Sequence, residues 1–156
     1  MMKKSLLIAE DEEITLSLLR KVFQRPDLVV HEARTGTEAL QLIDQYMVDV
    51  VLTDLKMPEV SGIDLVRHVR ENFRDTEVIM MTSHATLETA IEAIRRGAYA
   101  YLLKPLELDE ASAYLAVTFR RLGLQPAGGS GDFVRRYPVG RDTTATGPTA
   151  PDVVGV

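Results

Sequence analysis

The amino-acid sequence predicts an α/β domain: a doubly wound parallel sheet of five strands with helices on both faces. Three observations carry the prediction. Short apolar runs alternate five times with stretches whose apolar positions recur at helical spacing. The run Val50-Val51-Leu52 has no polar interruption, the mark of a strand buried on both sides. A chain of 156 residues, 46% of them apolar and 26% charged, is long enough for one sizeable core. Alternating strands and helices call for parallel strands joined by crossover helices. Of the common doubly wound orders, the flavodoxin-like 2-1-3-4-5 needs only five strands and is the one expected.

Lys4 to Ala9 is the first strand, closing on the acidic run Glu10-Asp11-Glu12-Glu13. The helix after it is expected to turn Ile14, Leu18 and Val22 inward, with Leu19 and Phe23 beside them, and Pro26-Asp27 ends it. Leu28 to Ala33 is the second strand. Thr35-Gly36-Thr37-Glu38 starts a helix whose inner face is Ala39, Ile43 and Tyr46, with Leu42 beside them. Asp49 to Thr53 is the central strand. It drops directly onto Asp54, and Pro58 and Gly62 then impose a loop. The third helix follows Gly62, with Leu65, Val66, Val69 and Phe73 inward and Arg67, His68 and Arg70 outward. Glu77 to Met81 is the fourth strand, closed by Thr82-Ser83-His84. Ala85 to Arg96 is the fourth helix, packed through Leu87, Ala90, Ile91 and Ile94. Arg95 and Arg96 suit the negative end of its dipole, and Gly97 suits its C-cap. Ala98 to Leu103 is the fifth strand, ending at Lys104-Pro105, and a last helix spans Asp109 to Leu122.

Residues 123–156 differ in texture. They hold seven of the ten glycines and four of the seven prolines, without periodicity. A disordered tail is expected there, leaving residues 3–122 as the folded domain. Its one aromatic and basic patch is Phe133-Val134-Arg135-Arg136-Tyr137, either part of a linker or a docking segment. Tail charges cancel, so the net charge of −5 belongs to residues 1–122. Such an acidic domain is a poor general surface for nucleic acid. The absence of cysteine excludes disulfides and thiolate metal sites. No apolar run approaches the roughly 20 residues of a membrane span. The basic-then-apolar start is cut off by Glu10, before a secretory leader's apolar core is complete. The expectation is a cytoplasmic protein that binds neither nucleic acid nor membrane.

In the order 2-1-3-4-5 the carboxyl ends of strands one and three are neighbours, at the edge where open α/β sheets bind ligands. That brings Glu10 and Asp11 to Asp54. Crowded carboxylates repel and raise one another's pKa unless a cation neutralises them. Hard oxygen donors without His or Cys suit Mg²⁺, or Mn²⁺, with several waters retained. Each residue alone has a structural alternative. Asp54 can cap a turn, the acidic run can complement a helix dipole, Thr82 can be a cap and Lys104 a solvated lysine. Together, a nucleophilic Asp54, a divalent cation, the Thr82 hydroxyl and the Lys104 ammonium are what in-line phosphoryl transfer needs. No residue is placed as a base toward a substrate proton, so the acceptor is the protein itself.

Four stretches then carry a resemblance: Leu7-Ile8-Ala9-Glu10-Asp11-Glu12, Thr53-Asp54-Leu55-Lys56-Met57-Pro58 with Gly62, Val78-Ile79-Met80-Met81-Thr82-Ser83-His84, and Gly97-Ala98-Tyr99-Ala100-Tyr101-Leu102-Leu103-Lys104-Pro105. In this order and spacing, residues 3–122 resemble the receiver domain of bacterial two-component response regulators, of the single-domain, chemotaxis-regulator-like kind. The resemblance implies that Asp54 accepts a phosphoryl group from a sensor histidine kinase or phosphotransfer protein. It implies Asp11 and Asp54 directly on Mg²⁺, the Lys56 backbone carbonyl as a further ligand, and Glu10 acting through water. It makes Thr82 and Lys104 the phosphoryl-binding pair and suggests a cis Lys104–Pro105 bond. It also implies a switch. Thr82 moves toward the phosphoryl oxygens, Tyr101 turns into the vacated space, and the helix four, strand five and helix five surface is remodelled for a downstream protein target or a homodimer. Lys56 and His84 each lie two residues beyond a site residue. Lys56 is expected to screen the acyl phosphate and slow its hydrolysis; His84 either influences the attacking water or is a solvated loop residue.

Two other classes share such a sheet. Phosphatases of the haloacid-dehalogenase type place a second Asp two residues after the nucleophile, where this chain has Lys56. Flavin- or nucleotide-binding domains want a Gly- or hydroxyl-rich loop after strand one, where this chain has Glu10 to Glu13. A regulatory phosphoacceptor is therefore expected, and not an enzyme turning over external phosphate esters. A stand-alone receiver is the expected form. The Met81-Thr82-Ser83-His84-Ala85 segment resembles receivers attached to transcriptional activators, so a fragment of a larger regulator is the alternative.

Overall fold

A computed structural model describes residues 3–104 and 120. Strands β1 (Lys4–Ala9), β2 (Leu28–Ala33), β3 (Val50–Asp54), β4 (Glu77–Thr82) and β5 (Ala100–Leu103) form one sheet in the order β2-β1-β3-β4-β5. Every pairing is parallel. Between them lie α1 (Glu13–Val22), α2 (Gly36–Gln45), α3 (Gly62–Asn72) and α4 (Leu87–Arg96). Alternation along each strand divides the core in two. Leu6, Ile8, Leu52 and Ile79 face α1 with Leu16, Leu19 and Phe23. Leu7, Val51, Val78 and Met80 face the other side with Ile43, Leu65, Val69 and Ala93. Each fully buried large aliphatic contributes about 1.5–3 kcal/mol by leaving water, so both layers hold the helices against the sheet.

Three of the four described helices, α2, α3 and α4, start where a side chain satisfies free backbone N–H groups. Thr35 accepts from the Glu38 N–H, Ser61 and Asp64 form a capping box, and Thr86 and Thr89 form another. Gly97 closes α4 in the left-handed region at φ 104°, where a Cβ would be strained. Register sets the site: Ala9 pairs with Thr53, Asp54 with Met81, and Thr82 with Leu103, so four strands end together.

Several expected packing faces differ. In α1 the buried residues are Leu16, Leu19 and Val22, while Ile14 is 78% exposed and Leu18 is also exposed. Both stripes have helical spacing; the Leu16-Leu19-Val22 stripe, continued by Phe23, offers the sheet the broader apolar face. In α4 the small Ala90 and Ala93 face inward, letting the helix approach closely, and Leu87 and Ile91 are exposed. Tyr46 is not on the inner face of α2: it is the exposed C-cap and stacks on His31 with ring centroids 4.4 Å apart. Arg70 does not point outward either. Its Nη2 donates to the Thr76 carbonyl at 2.5 Å, and its aliphatic stem lies against Gly97. The fourth strand runs one residue further, through Thr82, and the fifth is shorter than expected. The Asp109–Leu122 helix, the Lys104–Pro105 bond and the 123–156 tail lie outside the described residues. Among the described residues no helix is long and apolar enough to cross a membrane.

Candidate functional site

β3 delivers Asp54 to the carboxyl edge, where it is 8% exposed. The backbone holds it from two sides. Leu55 N–H donates to the Met81 carbonyl at 3.0 Å, and Gly62 N–H donates to the Leu55 carbonyl at 2.9 Å. Gly62 is required by close approach: a Cβ there would stand 2.3 Å from the Asp54 carbonyl oxygen. The intervening loop turns at Glu59, whose φ is 72°, and Val60 N–H donates to the Pro58 carbonyl at 2.9 Å. The Pro58 carbonyl also accepts from Gly36 N–H at 3.4 Å, tying this loop to the start of α2.

β1 ends one residue before Glu10, which is fully buried, and Asp11, which is exposed. Glu10 is fixed by its own N–H to the Ala33 carbonyl and by Oε1 accepting from Glu12 N–H at 3.0 Å. One carboxylate oxygen each from Glu10, Asp11 and Asp54 lies within 4.8 Å of the others. Lys104, at the end of β5, reaches in from the far side. Its Nζ donates to Asp54 Oδ2 at 3.0 Å and to Glu10 Oε2, with only 11% of the side chain exposed.

Burial raises the Glu10 carboxyl from the ordinary carboxylate range to about 7; the Lys104 and Glu12 hydrogen bonds pull it down, and the nearby Asp54 charge pushes it up. For Lys104 burial opposes the charge, but hydrogen bonds to Glu10 and Asp54 outweigh it and the pKa is raised. One ammonium thus faces three carboxyl groups. The donor set is all carboxylate oxygen and open on the Asp11 side, which fits a hard divalent cation such as Mg²⁺. The direct Glu10–Lys104 ion pair was not anticipated by the sequence reading, which had Glu10 acting only through water; its sole signal is that both residues follow strands ending at one edge.

Thr82 is 1% exposed at the end of β4, and its hydroxyl accepts from His84 N–H at 3.1 Å. Lys104 N–H donates to the Thr82 carbonyl at 2.8 Å, so the two residues are fixed to one another. Tyr101 is half-buried on β5 with its hydroxyl 2.8 Å from that of Thr89 on α4. Thr89 was missed by sequence reasoning, although a threonine three residues after Thr86 is a recognisable cap pattern. Lys56 and His84 are exposed on the loops leaving β3 and β4. Asp54, Glu10, Asp11 and Lys104 are thus brought into one cluster. Thr82 stands at its edge, and Tyr101 stands on β5 with its hydroxyl against Thr89 of α4.

Comparison with known proteins agrees with this fold. Residues 6–116 match the family model described as the response regulator receiver domain. The chain is 41% identical over 105 residues to regulatory protein AtoC of Escherichia coli (strain K12), an alignment covering 67% of this chain and 23% of that protein. The chain spans between about a quarter and a half of the length of the curated relatives it matches. The signal receiver domain of an HD domain-containing protein from Pseudomonas fluorescens Pf-5 superposes with a TM-score of 0.73 at 26% identity, covering 78% of this chain and 98% of that one. The beryllofluoride-activated NtrC4 receiver domain dimer, solved in solution, gives a TM-score of 0.69 at 29% identity, covering 75% and 97%. With the fold and more than half the chain in agreement, this protein belongs to the response regulator receiver domain family.

Proposed function

We propose that Asp54 is the phosphoacceptor of a two-component signalling pathway and that its phosphorylation is the signal. An Asp54 carboxylate oxygen attacks the phosphorus of a phosphohistidine on a sensor histidine kinase or phosphotransfer protein. The O–P bond forms as the N–P bond breaks, and the electron pair stays on the imidazole. The observation that carries this reading is the Lys104 ammonium 3.0 Å from Asp54, beside three converging carboxylates. Lys104 and the Thr82 hydroxyl bind the phosphoryl oxygens, and Lys104 neutralises their charge as it develops. Asp11, Asp54 and the Lys56 backbone carbonyl would hold Mg²⁺, or Mn²⁺, with Glu10 acting through water. When bound, the cation supplies further charge neutralisation to the transferring group. Tyr101 follows Thr82 and changes the α4–β5 surface, including the helix expected after β5, that meets a downstream protein or a second copy.

The domain is regulatory, a reading that Lys56, standing where a second Asp would serve a phosphatase, supports; it works in the cytoplasm, and its acidic balance supports the absence of direct nucleic-acid contacts. Longer relatives such as regulatory protein AtoC support a second reading of the output, in which residues 3–122 are the receiver of a larger transcriptional regulator. The chemistry at Asp54 is the same in both.

Acetyl phosphate and Mg²⁺ supplied to wild type and Asp54→Ala, with the modified residue read by mass spectrometry, test the proposal. The expected result is one phosphoryl group on Asp54, absent in Asp54→Ala and after chelation. Modification at another residue, or modification indifferent to the metal, would overturn it.

A further inference from the structure

Tyr101 pairs across the sheet with Met80, and its hydroxyl lies 2.8 Å from Thr89 Oγ1. Thr89 is not a spare surface hydroxyl. Its oxygen is 3.1 Å from Thr86 N–H and 3.0 Å from the Thr86 carbonyl, closing the first turn of α4. A hydroxyl has one proton and two lone pairs. Thr86 N–H occupies one lone pair, and the Thr89 proton goes to the Thr86 carbonyl. The remaining lone pair accepts the Tyr101 O–H. The one competitor for it is the Thr86 hydroxyl, 3.1 Å away, which already accepts from Thr89 N–H at 3.2 Å. That hydroxyl can fill the place when Tyr101 leaves, so releasing the tyrosine does not strip the helix cap.

The same turn is tied to the site. Only Ser83, His84 and Ala85 separate Thr82 from the α4 N-cap Thr86. The Thr82 hydroxyl accepts from His84 N–H within that loop. Drawing the hydroxyl toward a phosphoryl oxygen on Asp54 breaks this bond and loosens the segment that carries the α4 cap.

We infer that Thr89 is a positioning residue for the switch: its hydroxyl latches Tyr101 to the first turn of α4, and phosphorylation of Asp54 releases the latch. The inference rests on the phosphoacceptor reading above. Beryllofluoride with Mg²⁺ is titrated into the full chain and followed by amide NMR, for wild type, Thr89→Val, Thr89→Ser, Tyr101→Phe and the Thr89→Val/Tyr101→Phe double variant. Thr89→Val keeps the shape and removes the hydroxyl; Tyr101→Phe leaves the cap untouched. Each of these should bind beryllofluoride roughly two- to tenfold more tightly, the worth of one ordinary hydrogen bond. Thr89→Ser should behave as wild type, and the double variant should bind no more tightly than either single one.

A Thr89 that serves only as a helix cap leaves Tyr101→Phe at wild-type affinity or makes the two changes additive, and either result overturns the latch. So does weaker binding in a single variant. If Thr89→Val fails to fold by circular dichroism, the latch stands only if Tyr101→Phe tightens binding while Thr89→Ser does not. Wild type that neither binds beryllofluoride nor takes a phosphoryl group on Asp54 overturns the phosphoacceptor reading and the latch together. A wild-type response with equal affinities in all variants overturns the latch alone.

Discussion

Glu10 is a carboxylate buried completely in the fold. Its carboxyl titrates near 4.5 when unperturbed and at about 7 in the fold, chiefly because it is buried. Between those values the folded protein keeps a proton that the unfolded chain has released. Its contribution is therefore full below pH 4.5 and lost as the pH rises through 7, a change on the order of 3 kcal/mol. His31 acts in the opposite sense, because burial lowers its pKa and stability is lost as the pH falls through its range. The informative quantity is thus a difference. In chelator, wild type should lose urea stability relative to Glu10→Gln as the pH rises from 4.5 to 7.5; parallel profiles would show that Glu10 titrates as in a peptide. Lys56 supports a second residue-scale prediction. Exposed on the loop after Asp54, it carries a charge able to screen the acyl phosphate from water. Purified phosphoprotein should lose its phosphate over minutes or longer, and faster in Lys56→Ala; loss within seconds counts against the role.

Elements are where the helix faces can be tested. Leu16 is fully buried in the layer under α1, so Leu16→Ala should cost about 2–5 kcal/mol in urea unfolding. Ile14→Ala, on the exposed stripe of the same helix, should stay within about 0.5 kcal/mol. Equal costs would mean that the helix packs through both stripes. The α3 start bears on the site more directly. Gly62→Ala pushes a Cβ to 2.3 Å from the Asp54 carbonyl, and backbone cannot yield there as a flexible side chain would. The variant should lose about 1–3 kcal/mol and accept phosphate from acetyl phosphate more slowly, as read by mass spectrometry. Wild-type stability together with wild-type labelling would show that the loop relaxes without moving Asp54.

At the scale of the whole molecule, the exposed Leu87 and Ile91 of α4 and Leu103 of β5 place apolar side chains on elements that the switch is proposed to remodel. Sedimentation with beryllofluoride and Mg²⁺ should shift the mass toward a dimer, and an unchanged mass would sink phosphorylation-driven dimerisation. The sheet order and the convergence of Glu10, Asp11, Asp54 and Lys104 at one edge were legible in the sequence. Strand ends are marked by the step from apolar residues to Glu10, Asp54, Thr82 and Lys104, and parallel topology then carries all of them to one edge. The inner face of α3 was legible as well, but those of α1 and α4 were legible only in part. Ile14-Leu18 and Leu16-Leu19 on α1, like Leu87-Ile91 and Ala90-Ala93 on α4, satisfy the same periodicity, and only the space above the sheet selects between them. Nor could spacing reveal that Lys104 holds Glu10 as well as Asp54, or that Tyr101 meets Thr89. Local pattern along a chain specifies which residues reach an edge or a face. Which polar atoms pair there is decided by distances between segments far apart in sequence, and these exist only once the chain is folded.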